Sequence, residues 1–236
     1  MASVKHSNRN AIRNMNMSSV AEENQKAKIE FIDAFFDDYD NKANYLRELY
    51  KTDRRDEARI LCACYIDGLA SALCWPDERS NYNYVAILRA HGGNEIFAYI
   101  HPKMLDDALN KLSEQRKWRT ILPTISDKLK VADRRLYEEH EILELLAPHL
   151  NATELELVRK EIWRGTFAAI IYSRFRVSAV HGFGPPDGTT FDLTTFQGKS
   201  VPAIDFFMVH SCLKRIIGVA RDISKSSGKW FGHDFK

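Results

Sequence analysis

The sequence predicts an all-α protein: a compact helical bundle with a short β-hairpin or irregular excursion before the last helix. First, apolar residues recur at i, i+3/i+4 spacing through most of the chain from about residue 28 onward. Second, Gly, Pro and Thr concentrate in a single late stretch, 183–204. Third, 44% hydrophobic and 28% charged residues among 236 are typical of a globular protein, which excludes wholesale disorder and a fibrous repeat.

The domain organisation expected from the sequence is a disordered polar tail over 1–26 followed by one helical domain over 27–236. The first 21 residues are basic and contain no Asp or Glu. This composition is typical of a solvated tail, which we take as the expectation, and it is shared by organellar transit peptides, which form the alternative.

Cysteine usage and hydropathy indicate the compartment. The four cysteines have no spacing typical of a disulfide framework, which favours a reducing environment. No stretch approaches eighteen consecutive apolar residues, so no membrane-spanning segment is expected. We therefore expect a cytoplasmic protein with no membrane partner.

Four helical segments are predicted in the first two thirds of the domain, over 53–75, 81–90, 94–112 and 126–146. Pro76 ends the first of them, because proline cannot continue a helix. The third is expected to break at His101-Pro102, since the residue before a proline disfavours the α conformation.

The strongest helix signal begins at Asn151. Asn151 is a good N-cap, and Glu154 completes a capping-box pattern three residues later. The apolar periodicity then continues to His181, where Gly182 and the following prolines end it. One uninterrupted helix over 151–181 is therefore expected.

The remaining elements are a hairpin and a last helix. GTTFDLTTF, followed by Gln197-Gly198-Lys199 and SVPAI, predicts a small hairpin. An amphipathic helix follows over about 205–224, with Val209, Leu213 and Ile216 on its apolar face.

Motifs for metal and cofactor chemistry are missing from the sequence. His140-Glu141 starts a zinc-type His-Glu-x-x-His pattern whose second histidine is absent. The acidic run 37–40 lacks the glycine and the last glutamate of a calcium loop, and predicts a solvated acidic turn. No glycine-rich phosphate loop is present. Neither a dedicated metal site nor a cofactor is expected.

The end of the helix begun at Asn151 carries the candidate chemistry, in Arg174, Arg176 and His181. An arginine can hold a phosphate through two parallel hydrogen bonds, and a histidine titrates near neutrality and can transfer protons. Such a pair suits metal-free cleavage of a phosphodiester by the neighbouring ribose hydroxyl.

Helical geometry distinguishes the two arginines. Arg174 lies seven residues before His181, nearly on the same face of a regular helix, with Ser178 between them. Arg176 lies five residues before, about 140° round, and meets His181 only if the helix unwinds or a second chain supplies one partner. The alternative is structural: both arginines cover apolar neighbours, and His181 is a favourable cation at the helix end.

Two segments resemble the HEPN superfamily of small helical-bundle proteins. Arg176-Val-Ser-Ala-Val-His181 fits the Arg, four to six residues, His motif of this family, as does Arg174 at the upper spacing. The helix EARILCACYIDGLASALCW, with its Ile66-Asp67 pair, is similar to the second helix of a group of uncharacterised prokaryotic members. In that group a Tyr-x-x-Arg-x4-His element follows, and here Tyr172 stands four residues before Arg176, one residue off that spacing.

The resemblance implies a metal-independent endoribonuclease with a site shared across a homodimer, acting in a toxin–antitoxin or phage-defence setting. It makes Arg176 the phosphate-binding residue and His181 the acid/base, with Arg174 as a further catalytic candidate. Asp67, Ser178 and Tyr172 are the candidate substrate-binding residues. The expected partners are RNA, a second copy of the chain, and an antitoxin or defence-system protein.

One departure from the family keeps a second interpretation open. Active members often carry Asn, Asp or His directly after the arginine, whereas Val177 follows Arg176 and Phe175 follows Arg174. The alternative is a non-catalytic HEPN-like module that binds RNA, a nucleotide or a protein partner. The net charge of +2 argues against indiscriminate coating of nucleic acid and is compatible with a few cations focused at one site.

Overall fold

The computed structural model describes the backbone of residues 3–73, 80–133, 135–177 and 195–227, and the side chains of 23–72, 81–133, 135–175 and 195–227. The α-helices of this part of the chain are α1 (Ser3–Lys51), α2 (Arg55–Leu73), α3 (Ser80–His91), α4 (Pro102–Asn110), α5 (Arg116–Arg119), α6 (Leu122–Val131), α7 (Glu139–Leu146), α8 (Ala152–Glu161), α9 (Phe167–Ile171) and α10 (Phe206–Ser227). Two 3₁₀ turns (Glu95–Ala98 and Ile162–Gly165), a π-helix (Tyr172–Val177) and two strands, β1 (Thr195–Phe196) and β2 (Lys199–Ser200), complete it. The predicted fold class, an all-α bundle with a short hairpin before the last helix, is confirmed.

Buried apolar side chains form two clusters, which we call the first core and the second core. The first core is enclosed by α1, α2, α3, α9, the π-helix and α10. The second core is enclosed by α4 to α8, which are inserted in the chain between α3 and α9. The predicted apolar faces of α2 and α10 both lie in the first core, where Cys62, Leu69, Leu213 and Ile216 are fully buried.

Extended backbone joins the two cores. Ile100 and Tyr137 exchange both of their backbone hydrogen bonds, at 2.7 and 2.9 Å. The amide of His101 donates to the carbonyl of Gly165 at 2.9 Å, and the amide of Phe167 donates to that of Tyr99 at 2.8 Å. The break at His101-Pro102 is confirmed, because His101 is the N-cap of α4 and its Nδ1 accepts from the Met104 amide.

The hairpin packs at this junction. Gln197 and Gly198 both have positive φ, 51° and 72°, as the two-residue type I′ turn between antiparallel strands requires. The amide of Leu136 donates to the carbonyl of Thr195 at 2.9 Å, and Phe196 packs edge-on against Tyr99 with ring centroids 4.6 Å apart.

The helix predicted over 151–181 is wrong in its length. Its start is confirmed, since the Asn151 side chain accepts from the Glu154 amide and the Glu154 side chain accepts from the Asn151 amide. However, α8 ends at Glu161, and Thr166 begins a new helix by accepting from the Ala169 amide. The spacing of apolar residues does not show this break, because Ile162, Trp163 and Gly165 of the 3₁₀ turn are buried as well.

Two further expectations need correction. The segment predicted as one helix over 126–146 is two helices, α6 and α7, because Tyr137 forms a β-bridge with Ile100 and Arg135 forms one with Thr195. The acidic run 37–40 is part of α1 rather than a turn, and Asp37 and Asp40 bind cations of α10. The polar tail expected over 1–26 stays a prediction, since the side chains of 1–22 lie outside the described residues.

Candidate functional site

The predicted site segment follows a short buried helix. All five residues of α9 are buried in the first core, so this helix is fixed in position by apolar packing. The chain then changes from α to π geometry over Tyr172–Val177. In a π-helix the backbone bonds join residues five apart, and such turns are frequent at functional sites. The winding therefore changes at the residue where the predicted site begins.

The described side chains of the π-helix are divided between the core and the solvent. Tyr172 is half-buried and packs edge-on against the buried Tyr84, with ring centroids 5.2 Å apart. Arg174 is exposed, and Phe175, the next residue, is buried in the first core. The π-helix is therefore held in place by Phe175, which packs in the first core, and by Tyr172, which packs on α3. Arg174 remains on the surface.

Arg59 is a member of this region that the sequence analysis missed. Its guanidinium lies 5.4 Å from the ring centroid of Phe175, within the range of a cation–π contact. The Arg59 side chain is only 12% exposed, and its Nη1 lies 3.7 Å from the Asp56 Oδ1. A mostly buried cation therefore lies beneath the π-helix that carries Arg174.

A sequence signal for Arg59 existed. Arg59 precedes Cys62, Ala63 and Ile66 at i, i+3, i+4 and i+7, and these three residues are fully buried. An arginine in line with buried apolar residues indicates that its side chain packs against a neighbouring helix. The pattern does not identify which helix that is.

Asp67 lies on the same helix as Arg59, about 12 Å farther along its axis at 1.5 Å per residue. The side chain is half-buried, and α2 packs along the π-helix. The structure therefore places the helix that carries Asp67 beside the segment that carries Tyr172 and Arg174.

The other candidate residues lie outside the described part of the chain. Ser178 and His181 belong to the range 178–194, and the side chain of Arg176 is likewise not described. Of the six predicted site residues, the structure thus locates Asp67, Tyr172 and Arg174 as side chains and Arg176 by its backbone.

Among the described side chains, no group of three or more His, Cys, Asp or Glu residues is arranged to hold a metal ion. His140, the start of the incomplete zinc-type pattern, is exposed on α7 with its Nδ1 3.1 Å from a Glu138 carboxylate oxygen. In the same part of the chain no helix is long and apolar enough to cross a membrane.

Comparison of the chain with protein-family models, with curated proteins and with solved structures gave no match. The resemblance to the HEPN superfamily therefore rests on the sequence motifs alone.

Proposed function

We propose that this chain is a HEPN-type, metal-independent endoribonuclease that acts in the cytoplasm in a toxin–antitoxin or phage-defence setting. The proposal rests on the Arg-x4-His motif formed by Arg176 and His181, which follows in sequence directly after Phe175, a residue buried in the first core. Its reaction is attack of a ribose 2′-hydroxyl on the adjacent phosphorus, with loss of the 5′-oxygen of the next nucleotide.

The structural observation that supports this motif is the π-helix over Tyr172–Val177, which contains Arg176. On a regular α-helix, residues five apart point about 140° away from each other. In π geometry residues five apart are hydrogen-bonded neighbours, as residues four apart are in an α-helix. The π winding over Tyr172–Val177 includes Arg176, and a five-residue spacing between a phosphate-binding arginine and its histidine needs this winding to continue to His181, which lies outside the described residues.

Each group has a chemical role in this proposal. His181 takes the proton from the 2′-hydroxyl or gives one to the departing 5′-oxygen, and Arg176 offsets the charge on the phosphorane. The exposed Arg174 binds a neighbouring phosphate of the strand. Tyr172, Ser178 and Asp67 complete the substrate-binding set, and the buried Arg59 adds positive potential beneath the turn.

The proposed assembly is a homodimer whose two chains form one cleft around their helix ends. A twofold axis doubles the cations at that cleft, so a chain with a net charge of +2 can hold RNA without a basic surface elsewhere. RNA and an antitoxin or defence-system protein are the further proposed partners.

A non-catalytic HEPN-like binding module is the second candidate, and one observation favours it. Phe175 follows Arg174 and is buried in the first core, where it serves packing rather than chemistry. The position after Arg176 is occupied by the apolar Val177. In this alternative the helix end binds RNA, a nucleotide or a protein without cleaving it.

The test is cleavage of a labelled single-stranded RNA by the full-length protein in EDTA. We expect His181→Ala and Arg176→Ala to lower the rate by at least about 100-fold, since general acid–base catalysis contributes factors of this size. His149→Ala is the matched control, because His149 is exposed in the turn between α7 and α8, at the second core. We expect this variant to cleave at the wild-type rate.

Equal rates of RNA cleavage by the wild type and by His181→Ala would reject the proposal that this chain is a HEPN-type endoribonuclease. Retention of RNA by a wild-type protein that does not cleave it would select the binding module instead. Light scattering supplies the remaining check, since a chain that stays at 27.2 kDa would contradict a site shared by two copies.

A further inference from the structure

A cleft of about 510 Å³ lies between the two cores. Its described lining contains no residue of the proposed RNA-cleaving site around Arg176 and His181, which we call the helix-end site. Its lining comes from α3, α7, the end of α8 and the following 3₁₀ turn: Tyr82, Arg89, Glu139, Arg159, Lys160, Glu161, Ile162, Trp163 and Arg164. Pockets of 300–1,000 Å³ at the junction of two packed units are typical of small-molecule sites.

The charges of the cleft favour an anion, because its lining contains four cations and two carboxylates. Arg164 is paired within the cleft, with its Nε 2.5 Å from a Glu161 carboxylate oxygen. Arg89 and Glu139 approach only to 4.0 Å across it. The positive excess is therefore located elsewhere in the lining.

Lys160 and Arg159 carry that excess. Within the described part of the chain Lys160 makes no ion pair, and both side chains are exposed. Arg159 reaches Glu156, which lies outside the cleft, at 3.5 Å between half-exposed groups. Exposed pairs of this kind are weak, so both cations are available to a phosphate group.

Two aromatic rings supply an apolar surface beside these cations. Trp163 is 9% exposed and meets Tyr82 edge-to-face, with centroids 5.4 Å apart and planes at 88°. The Arg164 guanidinium lies 4.8 Å from the Trp163 ring centroid. A planar, electron-rich group entering the cleft would thus contact ring and guanidinium surfaces, which are the surfaces that receive nucleobases in proteins.

We propose that this cleft binds a mononucleotide, with the phosphate on Lys160 and Arg159 and the base beside Tyr82 and Trp163. The volume of the cleft is much larger than inorganic phosphate needs, and that ion has no planar group to place against the aromatic rings. None of the described lining residues belongs to α2 or to the π-helix, so nucleotide binding at the cleft and RNA cleavage are tested separately.

A bound nucleotide would contact both cores at once, since Tyr82 and Trp163 pack with the first core and Ile162 lies in the second. Because a ligand that binds only the folded state stabilises it, binding should raise the melting temperature of the full-length protein.

Calorimetric titration of the full-length protein measures binding, with AMP and GMP as probes and adenosine and inorganic phosphate as separate arms. We expect one of the two nucleotides to bind at least tenfold more tightly than adenosine or phosphate. The double variant Arg159→Ala/Lys160→Ala should weaken that binding at least tenfold. Lys130→Ala, an exposed lysine of α6 outside the cleft, should leave it unchanged.

Three outcomes would overturn the proposal. The first is that neither nucleotide binds at about 1 mM, the weak limit of specific recognition. The second is phosphate binding as tightly as the nucleotide, which would make the cleft a phosphate site. The third is that an RNA oligonucleotide binds through Arg159 and Lys160 while mononucleotides do not. RNA cleavage by the double variant is the independent readout that separates this site from the helix-end site.

Discussion

At Gly165 the two cores come into very close contact. A Cβ atom at this position would lie 2.5 Å from the Leu105 Cβ and 3.1 Å from the Ile100 Cγ2. Real Cβ atoms do not approach other atoms so closely, and both neighbours are buried side chains of the second core. The absence of a side chain at Gly165 is therefore what allows α4 to pack directly on the 3₁₀ turn.

Gly165→Ala should accordingly destabilise the fold by about 1–3 kcal/mol, the usual cost of overpacking a core. Gly218→Ala is the matched control, because Gly218 is exposed in α10 with no atom within 4 Å of its added Cβ. Alanine there should instead stabilise the protein by about 0.5–1 kcal/mol through helix propensity. Urea denaturation measures both changes, and equal effects of the two substitutions would contradict the packing described.

His210 makes the stability of the first core sensitive to pH. It is buried on α10 with its Nε2 2.8 Å from the Ala43 carbonyl oxygen of α1. Burial lowers the pKa of His210 below its ordinary 6.5, although the bond to Ala43 opposes the shift. Burial also lowers the pKa of His101, so both histidines act in the same direction.

A histidine with a lowered pKa binds its proton more readily in the unfolded chain. Stability should therefore be complete above about pH 6.5 and fall as the pH drops through and below that value. In His210→Gln the amide keeps a donor for Ala43 and does not titrate, so this loss should be smaller. Urea denaturation at pH 7.5 and 5.5 measures it, and an identical loss in wild type and variant would exclude His210 as a cause.

The contributions of single residues to the site were only partly predictable. The types and spacing of Arg174, Arg176 and His181 indicated phosphate chemistry, since that information lies along the chain. The burial of Phe175 and its contact with Arg59 depend on how α2 packs against the π-helix, and no local pattern contains that packing.

At the scale of elements, α1 and α10 are joined by a row of ion pairs. Arg221 binds Asp37 at 2.7 Å and Asp40 at 3.2 Å, and Lys225 binds Asp33 at 2.8 Å. These pairs lie along the edge of an apolar seam, so they add to packing that is already favourable. Their partly exposed position limits their strength.

Arg221→Met should keep the aliphatic packing of the side chain and remove both of its ion pairs. We expect a loss of about 1 kcal/mol at low salt, because exposed pairs are worth a few tenths to one kcal/mol each. In about 1 M NaCl the loss should shrink, since charges are then screened within about 3 Å. Arg47→Met, at an exposed arginine of α1, is the control, and a salt-independent loss in Arg221→Met would argue against an electrostatic origin.

The sequence predicted those helix boundaries that are set by residues close to them in the chain. The start of α8 and the break before α4 are local, because Asn151 and Pro102 act within one turn of themselves. The end of α8 and the gap between α6 and α7 are set by contacts across the molecule, at Gly165 and between Tyr137 and Ile100. The spacing of apolar residues along the chain carries no information about these contacts. The segments 126–146 and 151–181 were therefore each predicted as a single helix.

At the scale of the whole molecule, the second core is an insertion within the first. Helices of both cores have the same apolar period, so the sequence indicated one helical domain and gave no sign of two clusters. This arrangement creates a cleft between the cores, and the π-helix packs on α2, α3 and α9 of the first core. The proposed RNA-cleaving end and the proposed nucleotide cleft thus occupy different parts of one bundle.

The central claim is that the helix end cleaves RNA by means of the substrate's own 2′-hydroxyl and without metal. The most direct measurement compares an RNA oligonucleotide with its fully 2′-O-methylated copy in EDTA, followed by analysis of the product ends. Our account predicts fragments with 2′,3′-cyclic phosphate and 5′-hydroxyl ends from the RNA, and none from the methylated copy. Cleavage of both, 5′-phosphate ends, or an intact RNA would contradict it.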